Sequence, residues 1–147
     1  MTETPLFALL NEIGIIEQLA RNRFERAQAD GLRLPQFTVL NHLVRLGDGR
    51  GPAQIARAFE VTKATMTNTL QRLEARGFIR LDPDPADARA KRVMLTQAGR
   101  ARREQAIAAV LADLGGIGAA MDVASVLPAL RGLRQALDRG REGAGKV

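Results

Sequence analysis

Residues 78–95 constrain the architecture most. Two short runs suited to strands, 78–81 (Phe-Ile-Arg-Leu) and 92–95 (Arg-Val-Met-Leu), flank a stretch, 82–91, with two prolines and three aspartates. Proline lacks the backbone donor that a helix or an interior strand uses, and aspartate favours turns. Residues 82–91 are therefore predicted as a hairpin tip, with helix and strand both disfavoured there. A single hairpin set among helical patterns leaves few folds open.

The rest of the chain reads as helix. Thr4-Pro5 is a start signal, a hydroxyl cap followed by proline in the first turn. Behind it Leu6, Leu10, Ile13, Ala20 and Phe24 recur at spacings near 3.6, and Leu9, Ile15, Ile16 and Leu19 widen the stripe. This first helix, α1 (about 5–28), is too apolar for one wet face and is expected to touch more than one neighbour. After the break at 31–35 comes α2 (about 35–46), with Phe37, Leu40, Leu43 and Val44 inward. Residues 47–51, rich in glycine, read as a turn and lack the Gly-Lys-Ser/Thr ending of a phosphate loop. Pro52 opens α3, which carries Ile55, Ala56 and Phe59. Thr62 caps α4 (about 63–76), and Gly77 stands where a left-handed residue closes a helix. The two strands follow. Thr96 then caps α5, which is expected to end near Leu114 at a break over 115–118. The last helix, α6, runs from 123 or 125 to 139, with Pro128 in its first turns or at a kink. The order α1-α2-α3-α4-β-β-α5-α6 is mostly α with a small β-hairpin wing, and its centre reads as a winged helix-turn-helix.

Composition removes several function classes. The chain has 147 residues, no cysteine and one histidine, His42. Disulfides, thiolate metal sites and histidine clusters are excluded, and no metal or cofactor is expected. No nucleophile–base pair or carboxylate pair stands out, so an enzyme is not expected. No run of about 18 apolar residues predicts a membrane span, and no secretory signal opens the chain, so a cytoplasmic protein without membrane partners is expected. His42, between Leu40 and Leu43, reads as a half-exposed or hydrogen-bonded helix residue rather than a ligand contact.

Charge is unevenly placed. Residues 50–103 hold 12 basic and 5 acidic residues, a net +7, while the remainder holds 10 and 11, a net −1. Such a zone suits a polyanion, although a solvated arginine-rich surface would give the same count. Projected at about 100° per residue, α4 places Met66, Thr69, Leu70 and Leu73 on one side. Opposite them lie Ala64, Thr65, Thr67, Asn68, Gln71 and Arg72. Small residues permit close approach to a major groove, and hydroxyl, amide and guanidinium groups read base edges or bind phosphate. Thr62 and Lys63 at the start of α4 complete this set of candidates for double-stranded DNA. On the wing Arg89, Lys91 and Arg92 suit the negative minor groove. Asp82, Asp84 and Asp87 oppose that unless they turn away or pair locally, as Asp87 could with Arg89. The absence of Tyr and Trp disfavours stacking of single-stranded bases.

Two stretches, Asp84-Pro-Ala-Asp-Ala-Arg-Ala-Lys-Arg-Val-Met-Leu-Thr-Gln-Ala-Gly-Arg100 and Val61-Thr-Lys-Ala-Thr-Met-Thr-Asn-Thr-Leu-Gln-Arg-Leu-Glu-Ala-Arg-Gly-Phe-Ile79, carry a family resemblance. The wing stretch is similar to the signature of the MarR family of bacterial transcriptional regulators, an Asp-x-Arg tip followed by a strand ending Leu-Thr-x-x-Gly. The helical stretch resembles that family's recognition helix. The resemblance implies a homodimer interlocked through α1, α5 and α6, with α4 in a major groove and the wing in the flanking minor groove. It implies that Asp87 steadies Arg89, and that a small aromatic or anionic effector releases DNA. It also implies a winged helix-turn-helix DNA-binding part at 33–96 and helical dimerisation parts at 1–30 and 97–140, within one chain spanning 1–147; residues 141–147, polar and glycine-containing, read from composition as a disordered tail. Cysteine-based oxidant sensing, used by some members, cannot operate here.

The residues themselves agree on a dimer. Ile107, Val110, Leu111 and Leu114 of α5 and Val126, Leu127, Leu130, Leu133 and Leu137 of α6 exceed what one small core would cover. Twofold symmetry would set two reading helices about 34 Å apart, facing a pseudo-palindromic operator. The expected function is a sequence-specific repressor relieved by an effector. A winged protein-interaction module without specific DNA binding is the alternative.

Overall fold

The computed structural model describes residues 2–139 and 141. Its elements are α1 (Pro5–Ala27), α2 (Leu34–Leu46), α3 (Pro52–Ala58), α4 (Lys63–Ala75), β1 (Ile79–Asp84), β2 (Asp87–Leu95), α5 (Gln97–Ala120) and α6 (Val123–Asp138). Helices α2 to α4 and the antiparallel β1–β2 hairpin close over one apolar cluster. It comprises Val39, Leu40, Leu43, Ile55, Ala56, Met66, Leu70, Leu73, Ile79 and Val93. A second cluster, Phe24, Leu32 and Ala106 with Leu34, Phe37, Phe78 and Val110 against it, joins α1 and α5 to that unit. The fold is a winged helix-turn-helix carrying three further helices.

Local signals explain the junctions. Gly77 (φ 76°) ends α4 in the left-handed conformation expected of it. Its N–H donates to Glu74 O (2.9 Å) and that of Phe78 to Leu73 O (3.0 Å), which satisfies two terminal carbonyls. Thr96 then caps α5 by accepting from Gly99 N (3.0 Å), and its hydroxyl donates to Gly77 O (2.6 Å). Gly99 is needed for that approach, because a Cβ there would lie 2.0 Å from Phe78 O.

Four expectations are corrected. The strands extend into 82–91, leaving only Pro85 and Ala86 outside them. Leu81 N donates to Glu74 rather than to β2, so Pro83, two residues on, sits at an outward-facing position where a missing donor costs no ladder bond. The glycine-rich turn 47–51 is more than a turn. Gly49 N donates to Val93 O (3.0 Å), and Val93 N to Arg50 O (2.9 Å), so the loop adds a rung beside β2. The break expected at 115–118 is absent, since α5 runs through it to Ala120. Glycine weakens a helix by about 1 kcal/mol but keeps its N–H. The chain turns instead at Met121, and Asp122 caps α6 by accepting from Ser125 N (3.3 Å). Arg141, expected in a loose tail, donates to Arg57 O (2.9 Å) and Ala58 O (2.6 Å) and pairs with Glu60 (2.8 Å) and Asp138 (3.1 Å). The rest of that expected tail, 142–147, lies outside the described residues.

His42 is also corrected. It is 3% exposed, packs on Phe59 (ring centroids 5.1 Å apart), and its Nε2 has no hydrogen-bond partner among the described residues. Burial, followed by the charges of Arg50 and Arg45, holds its pKa below the usual 6.5. The folded state therefore keeps it neutral, while the unfolded chain takes up a proton below about pH 6.5. Its contribution to stability is complete above that pH and is lost as pH falls through the folded value. The melting temperature is expected to drop more between about pH 7 and pH 5 than in a His42→Leu variant; parallel profiles would contradict this.

Candidate nucleic-acid interface

Burial sorts the two sides of α4. Met66, Leu70 and Leu73 are buried and Thr69 is half-buried, whereas Ala64, Thr65, Thr67, Asn68, Gln71 and Arg72 are all exposed, as is Lys63. Thr62 and Thr65 are engaged in the cap. Thr62 Oγ1 accepts from Thr65 N (3.1 Å) and donates to Thr65 Oγ1 (2.8 Å). Glu74, the acidic residue near the edge of this face, is tethered, accepting from Leu81 N (3.2 Å). The outward surface of α4 is thus polar to cationic, with no large apolar side chain between Lys63 and Arg72.

Beside Arg72 the structure brings in residues that periodicity does not single out. Arg33, Pro35 and Gln36 at the start of α2 line a recess of about 280 Å³ with Asn68, Thr69 and Arg72. Arg33 belongs to the break before α2, and only tertiary packing sets it next to α4.

The wing manages its carboxylates locally. Asp82 pairs with Arg80 (3.1 Å), and the hydrogen bond from Arg80 holds the Asp82 carboxyl below its ordinary pKa. Asp84 accepts from Ala86 N (2.9 Å) and Asp87 from Arg89 N (3.0 Å), both as turn-forming contacts. Asp87 therefore steadies the backbone of Arg89 and does not neutralise it. Among the described residues no carboxylate pairs with the Arg89 guanidinium. Arg89 and Lys91 are exposed. Arg92 is half-buried, with its guanidinium lying over Gly49 and its backbone opposite Asp82. The ten candidates therefore fall into a helix group, Thr62 to Arg72, and a wing group in which Arg92 sits at the base.

Comparison with known proteins addresses what this surface belongs to. A family model described as the MarR family matches residues 30–90, the segment that holds α2 to α4 and most of the wing. A probable transcriptional regulator from Pseudomonas aeruginosa is 30% identical, with a TM-score of 0.62 over 88% of this chain and 98% of that one. The chain belongs to the MarR family. Among curated members, the transcriptional regulator HosA of Escherichia coli O111:H- is 40% identical over 70 residues, 46% of this chain and 50% of HosA. The transcriptional activatory protein BadR of Rhodopseudomonas palustris is 32% identical over 75 residues, 50% of this chain and 43% of BadR. The match thus spans half or less of those two proteins. Two further structures share the MarR fold. A mutant of E. coli MarR complexed with operator DNA has a TM-score of 0.71 at 22% identity, covering 90% of this chain and 95% of that one. CouR from Rhodococcus jostii, bound to p-coumaroyl-CoA, has a TM-score of 0.69 at 22% identity, covering 97% and 96%. No single helix among the described residues is long and apolar enough to cross a membrane.

The cap at the start of α4 gives a direct check on the local geometry. Thr62→Ala is expected to lower stability by about 1 kcal/mol, with Thr62→Ser restoring most of it, measured by denaturant titration. An unchanged midpoint would show that the cap does not hold the start of α4.

Proposed function

We propose that this MarR-family chain acts as a homodimer that binds a pseudo-palindromic duplex. The outward side of α4 reads a major groove, and Arg89 and Lys91 of the wing enter the flanking minor groove. The observation that carries this reading is the exposed face of α4, which is free of bulky apolar groups and has its acidic neighbour held by a backbone N–H. Residues 33–96 then form the DNA-binding part, and 1–30 with 97–140 the dimerisation part. In this reading Thr62, Lys63, Thr65, Thr67, Asn68, Gln71 and Arg72 act in the major groove, and Arg89, Lys91 and Arg92 on or beside the minor groove.

The dimer rests on apolar surface that one chain leaves uncovered. Only Phe24 of α1 is buried, while Phe7 and Leu19 remain 58% and 60% exposed. No residue of α6 is buried, and Leu111, Ile117, Val126, Leu127 and Leu130 face solvent as well. Between α1 and α6 runs an apolar groove of about 710 Å³ lined by Leu9, Ile13, Ile16, Val126, Leu130 and Leu133. Patches of this extent mark interfaces, and α1, α5 and α6 of a second copy would cover them. Sedimentation or mass photometry at micromolar concentration is expected to give twice the chain mass. A stable monomer would remove the dimer.

Regulation follows from the family. A small aromatic or anionic effector that lowers DNA affinity would make the protein a releasable repressor, and the p-coumaroyl-CoA complex of CouR supports an effector of this kind. Selection from random duplexes is expected to return a two-half-site consensus. Affinity for it should fall on the order of 10³-fold between 50 and 200 mM salt. Arg89→Ala should weaken all duplexes alike, whereas Asn68→Ala and Arg72→Ala should change sequence preference. Recovery of no preferred duplex would overturn the reading in favour of a protein-interaction module.

A further inference from the structure

The winged helix-turn-helix and the helices α1 and α5 meet at a fork of charges outside the ten candidate DNA contacts. Asp30, in the loop between α1 and α2, accepts from Arg102 of α5 through both of its oxygens, at 2.8 and 2.7 Å. The same carboxylate accepts from Arg76, the residue that closes α4. Its Oδ1 also takes the N–H of Leu32 (3.2 Å). Arg102 is 8% exposed and donates further to Gln28 (2.9 Å), whose amide reaches Ala106 O (3.4 Å) on α5. The Arg76 guanidinium lies 4.9 Å from the centre of the Phe78 ring. Helix α4 packs chiefly on α2, α3 and β1. The apolar cluster around Phe78 is non-directional, and a bidentate guanidinium–carboxylate pair is directional.

We infer that Asp30 and Arg76 form a positioning pair that fixes the tilt of α4 relative to α5, so that substitution there changes where the outward face of α4 is presented. This rests on the DNA-binding reading for its functional consequence but not for its geometry. The lever is long. The start of α4 lies about 20 Å from Arg76, so a tilt of about 10° moves it by about 3 Å, beyond hydrogen-bond tolerance.

The chain has no cysteine, so Gln71→Cys and Gln105→Cys supply two unique spin-label sites on α4 and α5, both exposed. Labelled chains diluted into unlabelled ones report the distance within one chain, with no DNA present. Arg76→Ala leaves the Arg102–Asp30 pair intact and is expected to fold, as melting will confirm. It should broaden or shift the distance distribution and weaken binding to the selected duplex about tenfold, because only part of the population presents α4 correctly. Arg76→Lys should restore both. Asp30→Asn combined with Arg76→Ala should bind DNA no more weakly than Asp30→Asn alone. An unchanged distance distribution in Arg76→Ala overturns the inference whatever happens to affinity. A loss of affinity with a salt slope reduced by about one also overturns it, since Arg76 would then be a phosphate contact. If the parent protein binds no duplex, the DNA reading falls and the distance measurement still decides the positioning role.

Discussion

Burial of Met66, Leu70 and Leu73 against α2 and α3 decides which side of α4 meets water. Each such side chain contributes about 1.5–3 kcal/mol when fully buried, far more than the hydroxyl and amide groups opposite gain from their local bonds. Rotation of α4 about its axis would expose this trio and bury Asn68, Gln71 and Arg72 without partners, so the orientation is strongly determined. The polar face is therefore presented by default, because the core takes the other side. The same core receives Ile79 and Val93, which seats the hairpin beside α4.

Electrostatics follow from this packing. Acidic groups near the surface are spent inside the molecule: Glu74 and Asp48 on backbone N–H groups of the hairpin, Asp82 on Arg80, and Asp84 and Asp87 on the turn. Asp30, in the loop between α1 and α2, has its carboxyl held well below the usual carboxylate range, chiefly by the hydrogen bond from Arg102. Arg72, Arg89 and Lys91 are left exposed. A net charge of +6 thus understates how positive this surface is.

Much of the fold is legible in the sequence because it obeys local rules. Helical periodicity locates α1 to α4, Gly77 closes α4, and the capping threonines at 62 and 96 mark helix starts. The outward side of α4 can be named residue by residue, since burial there follows the 3.6 period. What periodicity lacks is tertiary pairing. The bond between Gly49 and Val93, the seat of Arg92 over Gly49 and the approach of Arg33 to Arg72 each join positions far apart in sequence. Glycines at 115, 116 and 118 suggest a break that hydrogen bonding along α5 overrides. Composition alone puts Arg141 in a loose tail, whereas it closes the carbonyl end of α3. The neighbours of His42 on α2 leave it half-exposed, whereas in the fold it is buried and packs on Phe59, just past the end of α3.

The central claim is that two copies present this face of α4 in register with one turn of duplex. Hydroxyl-radical and methylation footprinting of the protein on its selected duplex tests it most directly. The account predicts two major-groove windows about 10–10.5 base pairs apart, each flanked by a protected stretch of minor groove. A single protected window, or two windows out of phase with the helical repeat, would contradict it.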